Sequence, residues 1–238
     1  MSGTLYLIPN TLGDATLGGL PGVLPEEVRT LTARLTYFVG EQAKSTRAFL
    51  KTVGITAPIQ EVEIRELNVN TPDGAIDDLL APILAGADGG LVSEAGCPAV
   101  ADPGALLVRR AHERGVRVVP LVGPSSILLA LMASGLNGQS FAFHGYLPTD
   151  PAERQKRLRD LEQRSRREKQ TQIFIETPYR NRAMLDALLG ACDASTLLCV
   201  AADLTQQDEK IVSHRIKGWP KEAIELHKRP AIFLFLAQ

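Results

Sequence analysis

The chain has 238 residues, 45% of them hydrophobic and 22% charged, with a formal net charge of -1. That length allows one large or two small domains with a substantial core. The balanced charge excludes a whole-molecule field drawing it to nucleic acid or an anionic membrane, but leaves room for a local basic patch.

In chain order, "TLYLIP" (4–9) is an apolar strand and "RLTYFVG" (34–40) another, and "EQAKSTRAFLKTVG" (41–54) reads as a helix closed by Gly54. "IDDLLAPILAGA" (76–87) is helical despite Pro82, with Pro72 and Asp73 as its entry. Strand "GGLVS" (89–93), helix "PGALLVRRAHERG" (103–115), strand "VRVVPLV" (116–122) and helix "SSILLALMASG" (125–135) follow. Strands alternating with helices predict βαβ units and a mainly parallel sheet.

The second half has a different spacing. "FAFHGYLP" (141–148) precedes a charged stretch at 152–169, then strand "TQIFIE" (171–176) and helix "RNRAMLDALLGA" (180–191). Strands "TLLCVAADL" (196–204), "KIVSHRI" (210–216) and "AIFLFLA" (231–237) complete it, with a short helix expected within 217–230. The expected fold is α/β, with two lobes of about five strands each, residues 1–122 and 123–238, the second sheet mixed.

Three cysteines without C-x-x-C spacing fit a reducing compartment rather than a disulfide framework. Four scattered histidines show no metal-ligand spacing, so no protein metal site is expected. The first residues lack a basic stretch followed by a long apolar run, and no segment reaches the ~20 apolar residues of a membrane span. A cytoplasmic location is expected.

In an open α/β sheet, ligands bind where loops leave the carboxyl ends of parallel strands. "IPNTLGD" (8–14), "SEAGCPAVADPG" (93–104) and "LVGPSS" (121–126) have that placement. Each alone is an ordinary turn; three together, rich in small residues, favour a ligand cleft. Asp102 before Pro103 reads as a helix N-cap, which accounts for it as well as a ligand role does. Glu94, at the end of a buried strand, either points to solvent or serves a site. No P-loop, dinucleotide fingerprint or nucleophile elbow is present.

These segments, with "VGPSS" (122–126), "FHGYLP" (143–148), "IETPYRN" (175–181), "AADLTQ" (201–206) and "GEQAKST" (40–46), resemble in order and spacing the tetrapyrrole methylase superfamily of S-adenosylmethionine-dependent methyltransferases. More narrowly they are similar to bacterial enzymes that methylate the ribose 2'-hydroxyl of a cytidine in 16S rRNA. The resemblance covers essentially the whole chain. It implies two α/β lobes with the cofactor in the cleft between them, a homodimer, and rRNA or the small ribosomal subunit as partner. It implies S-adenosylmethionine contacts at Pro9, Ser93, Glu94, Ala95, Gly96, Val100, Ser125, Ser126, Phe143, His144, Gly145, Ala201 and Ala202. Against the family's E-D-T-R this chain has Glu41, Gln42, Ala43 and Lys44; against A-R-E-L-T-K it has Ala202, Asp203 and Gln206 in place of Arg, Glu and Lys.

A ribose hydroxyl must lose its proton during methyl transfer, so a positioned carboxylate would help. Candidates are Glu41, Glu94, Asp102 and Glu176, with Lys44, Tyr179 and Arg180 orienting the substrate; each also has a structural reading as cap or ion pair. "RQKRLRDLEQRSRREK" (154–169) holds eight Lys or Arg against three acids, and is either a solvated helix face or linker, or an element contacting RNA phosphates. No aromatics are interleaved in it, which weakens base stacking. Two other readings remain: a methyltransferase of this fold acting on a small molecule such as a tetrapyrrole, and a cofactor- or RNA-binding module without catalysis.

Overall fold

The computed structural model describes residues 2–14, 16–220 and 222–238. The chain divides into two compact units, Met1–Ser125 and Ser126–Gln238. Each is an α/β layer structure around one five-stranded sheet, the fold class expected from the alternation of strands and helices.

The first unit runs β1 (Thr4–Ile8), α1 (Gly19–Val23), α2 (Glu26–Arg34), β2 (Tyr37–Gly40), α3 (Ala43–Val53), β3 (Glu63–Glu66), α4 (Ile76–Leu84), β4 (Gly89–Val92), α5 (Gly104–Glu113) and β5 (Arg117–Pro120). Its sheet is wholly parallel in the order β3-β2-β4-β1-β5. Alternation along the strands fills two cores. Tyr37, Val39 and Leu91 pack with Leu80 of α4 and Leu107 of α5, while Phe38, Ile8 and Val92 pack with Leu20, Leu24 and Leu50. The central strand begins with two glycines because both faces are full: a Cβ on Gly90 would lie 2.5 Å from Ile8 Cδ1 and 2.8 Å from Phe38 Cδ1.

The register decides where function can sit. Val92 is level with both Ile8 and Gly40, so β1, β2 and β4 end side by side and release Pro9, Glu41 and Ser93 at one edge. Helices α1 and α2 and strand β3 were not anticipated. Strand β3, "EIRE", carries no apolar alternation: it is an edge strand whose Arg65 pairs with Glu63 at 2.6 Å and lies over the Tyr37 ring.

The second unit runs α6 (Ser126–Ser134), β6 (Phe141–Tyr146), α7 (Pro151–Glu168), β7 (Thr171–Ile175), α8 (Asn181–Ala191), β8 (Leu197–Ala202), β9 (Lys210–Arg215) and β10 (Ala231–Leu236). Its sheet, β6-β7-β10-β8-β9, is mixed: β6 and β7 are parallel and the other pairs antiparallel. Phe174, Phe233 and Phe235 centre its core, the first two stacked with ring centroids 5.8 Å apart. The charged stretch forms one continuous helix, α7, with Leu158 and Leu161 buried on that core and the Asp150 carboxylate capping Ala152 and Glu153 N–H. The helix expected within 217–230 does not form among the described residues; Trp219, Ile224 and Leu226 pack onto the core as an irregular segment.

Candidate functional site

The loops leaving β1 and β4 are tied to each other. Asn10 Nδ2 donates to Ser93 and Glu94 carbonyls at 3.1 and 3.2 Å, Asn10 N–H donates to Gly96 O, and Gly96 N–H donates to Thr11 O. The Ser93 hydroxyl turns inward and donates to the Ala95 and Gly96 carbonyls, and Gly96 takes a left-handed φ of 67° that closes the turn. Glu94 and Ala95 are thereby held out to solvent on a braced turn. The third loop presses on the first: a Cβ on Gly123 would stand 2.2 Å from Pro9 Cβ and 3.1 Å from Leu24 Cδ2. Gly123→Ala is therefore expected to cost about 2 kcal/mol by overpacking, read as a lower urea midpoint with an unchanged slope.

Residues 97–104 carry local strain. Ala99 and Ala101 sit at φ 65° and 60°, where a Cβ is unfavourable. Asp102 holds the segment in place: its Oδ1 accepts from Ala99 N–H at 2.9 Å and Gly104 N–H at 2.7 Å. The helix starts one residue later than the expected N-cap implied, with Pro103 at the cap position, yet the carboxylate still serves the first turn of α5. Burial raises the Asp102 carboxyl above its ordinary value, opposed by those two N–H groups.

Glu41, Glu94 and Asp102 converge on this edge. Burial raises the Glu41 carboxyl above its ordinary value of 4.5, and the charges of Asp102 and Glu94 add to the rise; a hydrogen bond from Glu94 N–H opposes it. The folded chain thus holds this proton more tightly than the unfolded chain. Stability is lost as pH climbs from 4.5 through the raised value. Glu41→Gln removes that cost, so its Tm is expected to exceed wild type at pH 7. The difference should vanish below 4.5, where Glu41 is protonated in both states. An equal gain at both pH values would break the link to ionisation.

Beside the turn opens a cleft of about 350 Å³, within the range of small-ligand sites. Its wall includes Asn10, Glu94 and one face of α3: Ser45, Ala48, Phe49 and Thr52. The Ser45 hydroxyl donates to Glu94 Oε1 at 2.5 Å and ties α3 to the β4 turn. Asn10, Ser45 and this helix face were not among the expected site residues. Their spacing (45, 48, 49, 52) is that of a single helical face, and this was the signal available in the sequence.

The remaining expected residues distribute as follows. Pro9 is buried, Val100 is exposed, and Lys44 is exposed on the first turn of α3. Ser125 closes the first unit and Ser126 begins α6. In the second unit the β6 ladder breaks register between Phe143 and Tyr146, with Gly145 at φ 65°. The His144 side chain is engaged by Gln172 Oε1 at 2.7 Å. Ala201 and Ala202 are buried inside β8 with ladder partners on both sides, and the accessible part of that segment is the turn after it. Tyr179 is 75% exposed. Glu176 is instead fully buried, its Oε1 accepting from Thr177 N–H and from Arg180 Nε and Nη2, so these two expected site residues are committed to each other. Among the described residues no His, Cys, Asp or Glu group has the makings of a metal site, and no helix is long and apolar enough to cross a membrane.

The chain is similar to known proteins in sequence and in fold. The sequence model of the tetrapyrrole (corrin/porphyrin) methylases matches residues 21–218. A ribosomal RNA small subunit methyltransferase I from Xylella fastidiosa (strain Temecula1 / ATCC 700964) is 33% identical over 210 residues, 88% of this chain and 71% of that one. The protein of the same name from Halalkalibacterium halodurans is 35% identical over 225 residues, 93% of this chain and 72% of that one. The crystal structure of the methyltransferase CobJ aligns over 100% of both chains with a TM-score of 0.63 and 18% identity, a likeness of fold alone.

Proposed function

The chain belongs to the tetrapyrrole methylase family, whose members are S-adenosylmethionine-dependent methyltransferases, and on that premise we propose that it methylates the ribose 2'-hydroxyl of a cytidine in 16S rRNA. The observation that carries the substrate is the identity of 33–35%, across 88–93% of the chain, to proteins named for small-subunit rRNA methylation. In this reading the chain acts in the cytoplasm as a homodimer, on the small ribosomal subunit or its rRNA.

The residues at the β-strand ends fit the cofactor. The turn at Ser93–Gly96 uses its own hydroxyl internally and holds Glu94 and Ala95 out to solvent. Gly123 packs too closely on Pro9 for any larger residue, and this keeps the first and third loops together. When bound, S-adenosylmethionine supplies an electrophilic methyl group on a positively charged sulfur. The chain's part is to hold the acceptor oxygen in line and remove its proton. We assign the cleft beside α3 to the acceptor nucleoside, with Phe49 and Ala48 against the base or sugar face and Asn10 and Thr52 on its polar groups. Glu94 is the candidate carboxylate that lines this cleft, and it takes the hydroxyl proton. Lys44, at the exposed start of α3, meets a backbone phosphate.

The test is transfer of a tritiated methyl group from S-adenosylmethionine to small ribosomal subunits lacking the modification, with a tetrapyrrole acceptor in parallel. Nuclease digestion should recover the label as 2'-O-methylcytidine. Label on the tetrapyrrole alone, or cofactor binding with no transfer to either, would overturn the rRNA assignment.

A further inference from the structure

The acceptor cleft suits a nucleoside better than the phosphates on either side of it. Among the described residues that line it there is no Lys, Arg or His, and two, Asp14 and Glu94, carry carboxylates. Three lining hydroxyls have given their protons away: Thr16 Oγ1 donates to Gly13 O, Thr52 Oγ1 to Ala48 O and Ser45 Oγ to Glu94 Oε1. These side chains offer acceptors, which repel a polyanion, so the flanking phosphates have to be met outside the cleft.

Cations stand on the next face of the same helix. Lys44, Arg47 and Lys51 are exposed, and the 11 residues of α3 include no acid. At about 100° per residue the three fall within an arc of roughly 60°, opposite the buried Thr46, Phe49 and Leu50. Ala48 lines the cleft and is one helical turn from both Lys44 and Lys51. The cations therefore run along the rim for about 10 Å of helix axis.

Helix stability does not account for this row. Other helices of the chain pair their arginines with acids one turn on: Arg109 with Glu113, Arg164 with Glu168 and Arg182 with Asp186. Among the described residues Lys44, Arg47 and Lys51 enter no salt bridge. Glu66, beside the start of α3, is committed to Ala43 N–H at 2.8 Å. Lys44 also lies in the first turn, where a positive charge opposes the helix dipole.

Resting on the rRNA reading above, we propose that Lys44, Arg47 and Lys51 form a phosphate-binding row that holds the RNA backbone on either side of the acceptor nucleotide. This extends the single phosphate contact given to Lys44 and makes α3 a two-sided element. One side, with Ser45, Phe49 and Thr52, takes the nucleoside, and the other takes its neighbours' phosphates. The row positions substrate and takes no part in proton removal.

Fluorescence anisotropy of the full chain with a labelled single-stranded RNA of about 20 nucleotides reads affinity. Steady-state methylation of small subunits lacking the modification reads KM and kcat. R47A/K51A should bind the RNA about tenfold more weakly, with a salt slope lower by about 1.5. It should raise KM about tenfold and change kcat far less. R47K/K51R keeps both charges and should stay within about twofold of wild type. So should R109A/R117A, which removes two exposed cations from the same unit, Arg117 being at the amino end of β5. Affinity for S-adenosylmethionine, measured by calorimetry, should match wild type in every variant and so certify the fold. Wild-type RNA affinity or salt slope in R47A/K51A, or a loss no larger than in R109A/R117A, overturns the row. Failure of the substrate assignment alone looks different: wild type puts no label on small subunits, while R47A/K51A still loses RNA affinity and salt slope.

Discussion

Glu94→Gln is expected to lower kcat for rRNA methylation by at least about 100-fold while changing S-adenosylmethionine affinity less than about threefold. Gln fills the same volume on the braced turn, and its Oε1 can still accept from Ser45, as Glu94 does at 2.5 Å. What it loses is the capacity to take a proton. The other expected carboxylates are less available. Asp102 is spent on Ala99 and Gly104 N–H, and Glu176 is buried under Arg180. Glu41 is not among the residues that line the cleft. Glu94→Asp keeps a carboxylate one methylene shorter, breaks the reach to Ser45, and should retain activity within about tenfold. Ser45→Ala should raise KM more than it lowers kcat, because it frees the side chain without removing the base. Near-wild-type kcat in E94Q would return Glu94 to a purely structural place in the turn.

The sequence exposed the parts of this site that depend on local chemistry. Small residues after "TLYLIP" and "GGLVS" marked the strand-end loops, and "ADPG" marked the start of α5. Whatever depended on non-local packing stayed hidden. Strand β3 forms because an edge position beside β2 accepts a charged run, which no apolar alternation announces. Helix α2 did carry signals, Pro25 followed by Glu26 and Glu27 at a helix start, but it lies between segments with stronger patterns. The face of α3 at 45, 48, 49 and 52 is legible by helical spacing; that it faces Glu94 is not, because 49 residues separate Ser45 from Glu94.

Arg180→Ala is expected to be the most destabilising of the charge removals, at about 3 kcal/mol, or a Tm drop on the order of 10 °C. The reason is the asymmetry of the pair: the Glu176 side chain is 0% exposed and the Arg180 side chain 38%. Removing Arg180 strands a buried carboxylate whose Oε2 already has no partner among the described residues, whereas removing the carboxylate leaves a guanidinium that can reach water. Glu176→Gln alone should therefore cost less than about 1 kcal/mol, since its Oε1 still accepts Thr177 N–H, now 2.6 Å from Glu176 Oε1. The double variant E176Q/R180M should recover most of the stability lost in R180A, with Met restoring the packing of the arginine stem. This cycle also separates two roles for Arg180. If it orients substrate, E176Q/R180M will regain Tm but keep a raised KM for rRNA. If it only neutralises Glu176, KM will return together with stability.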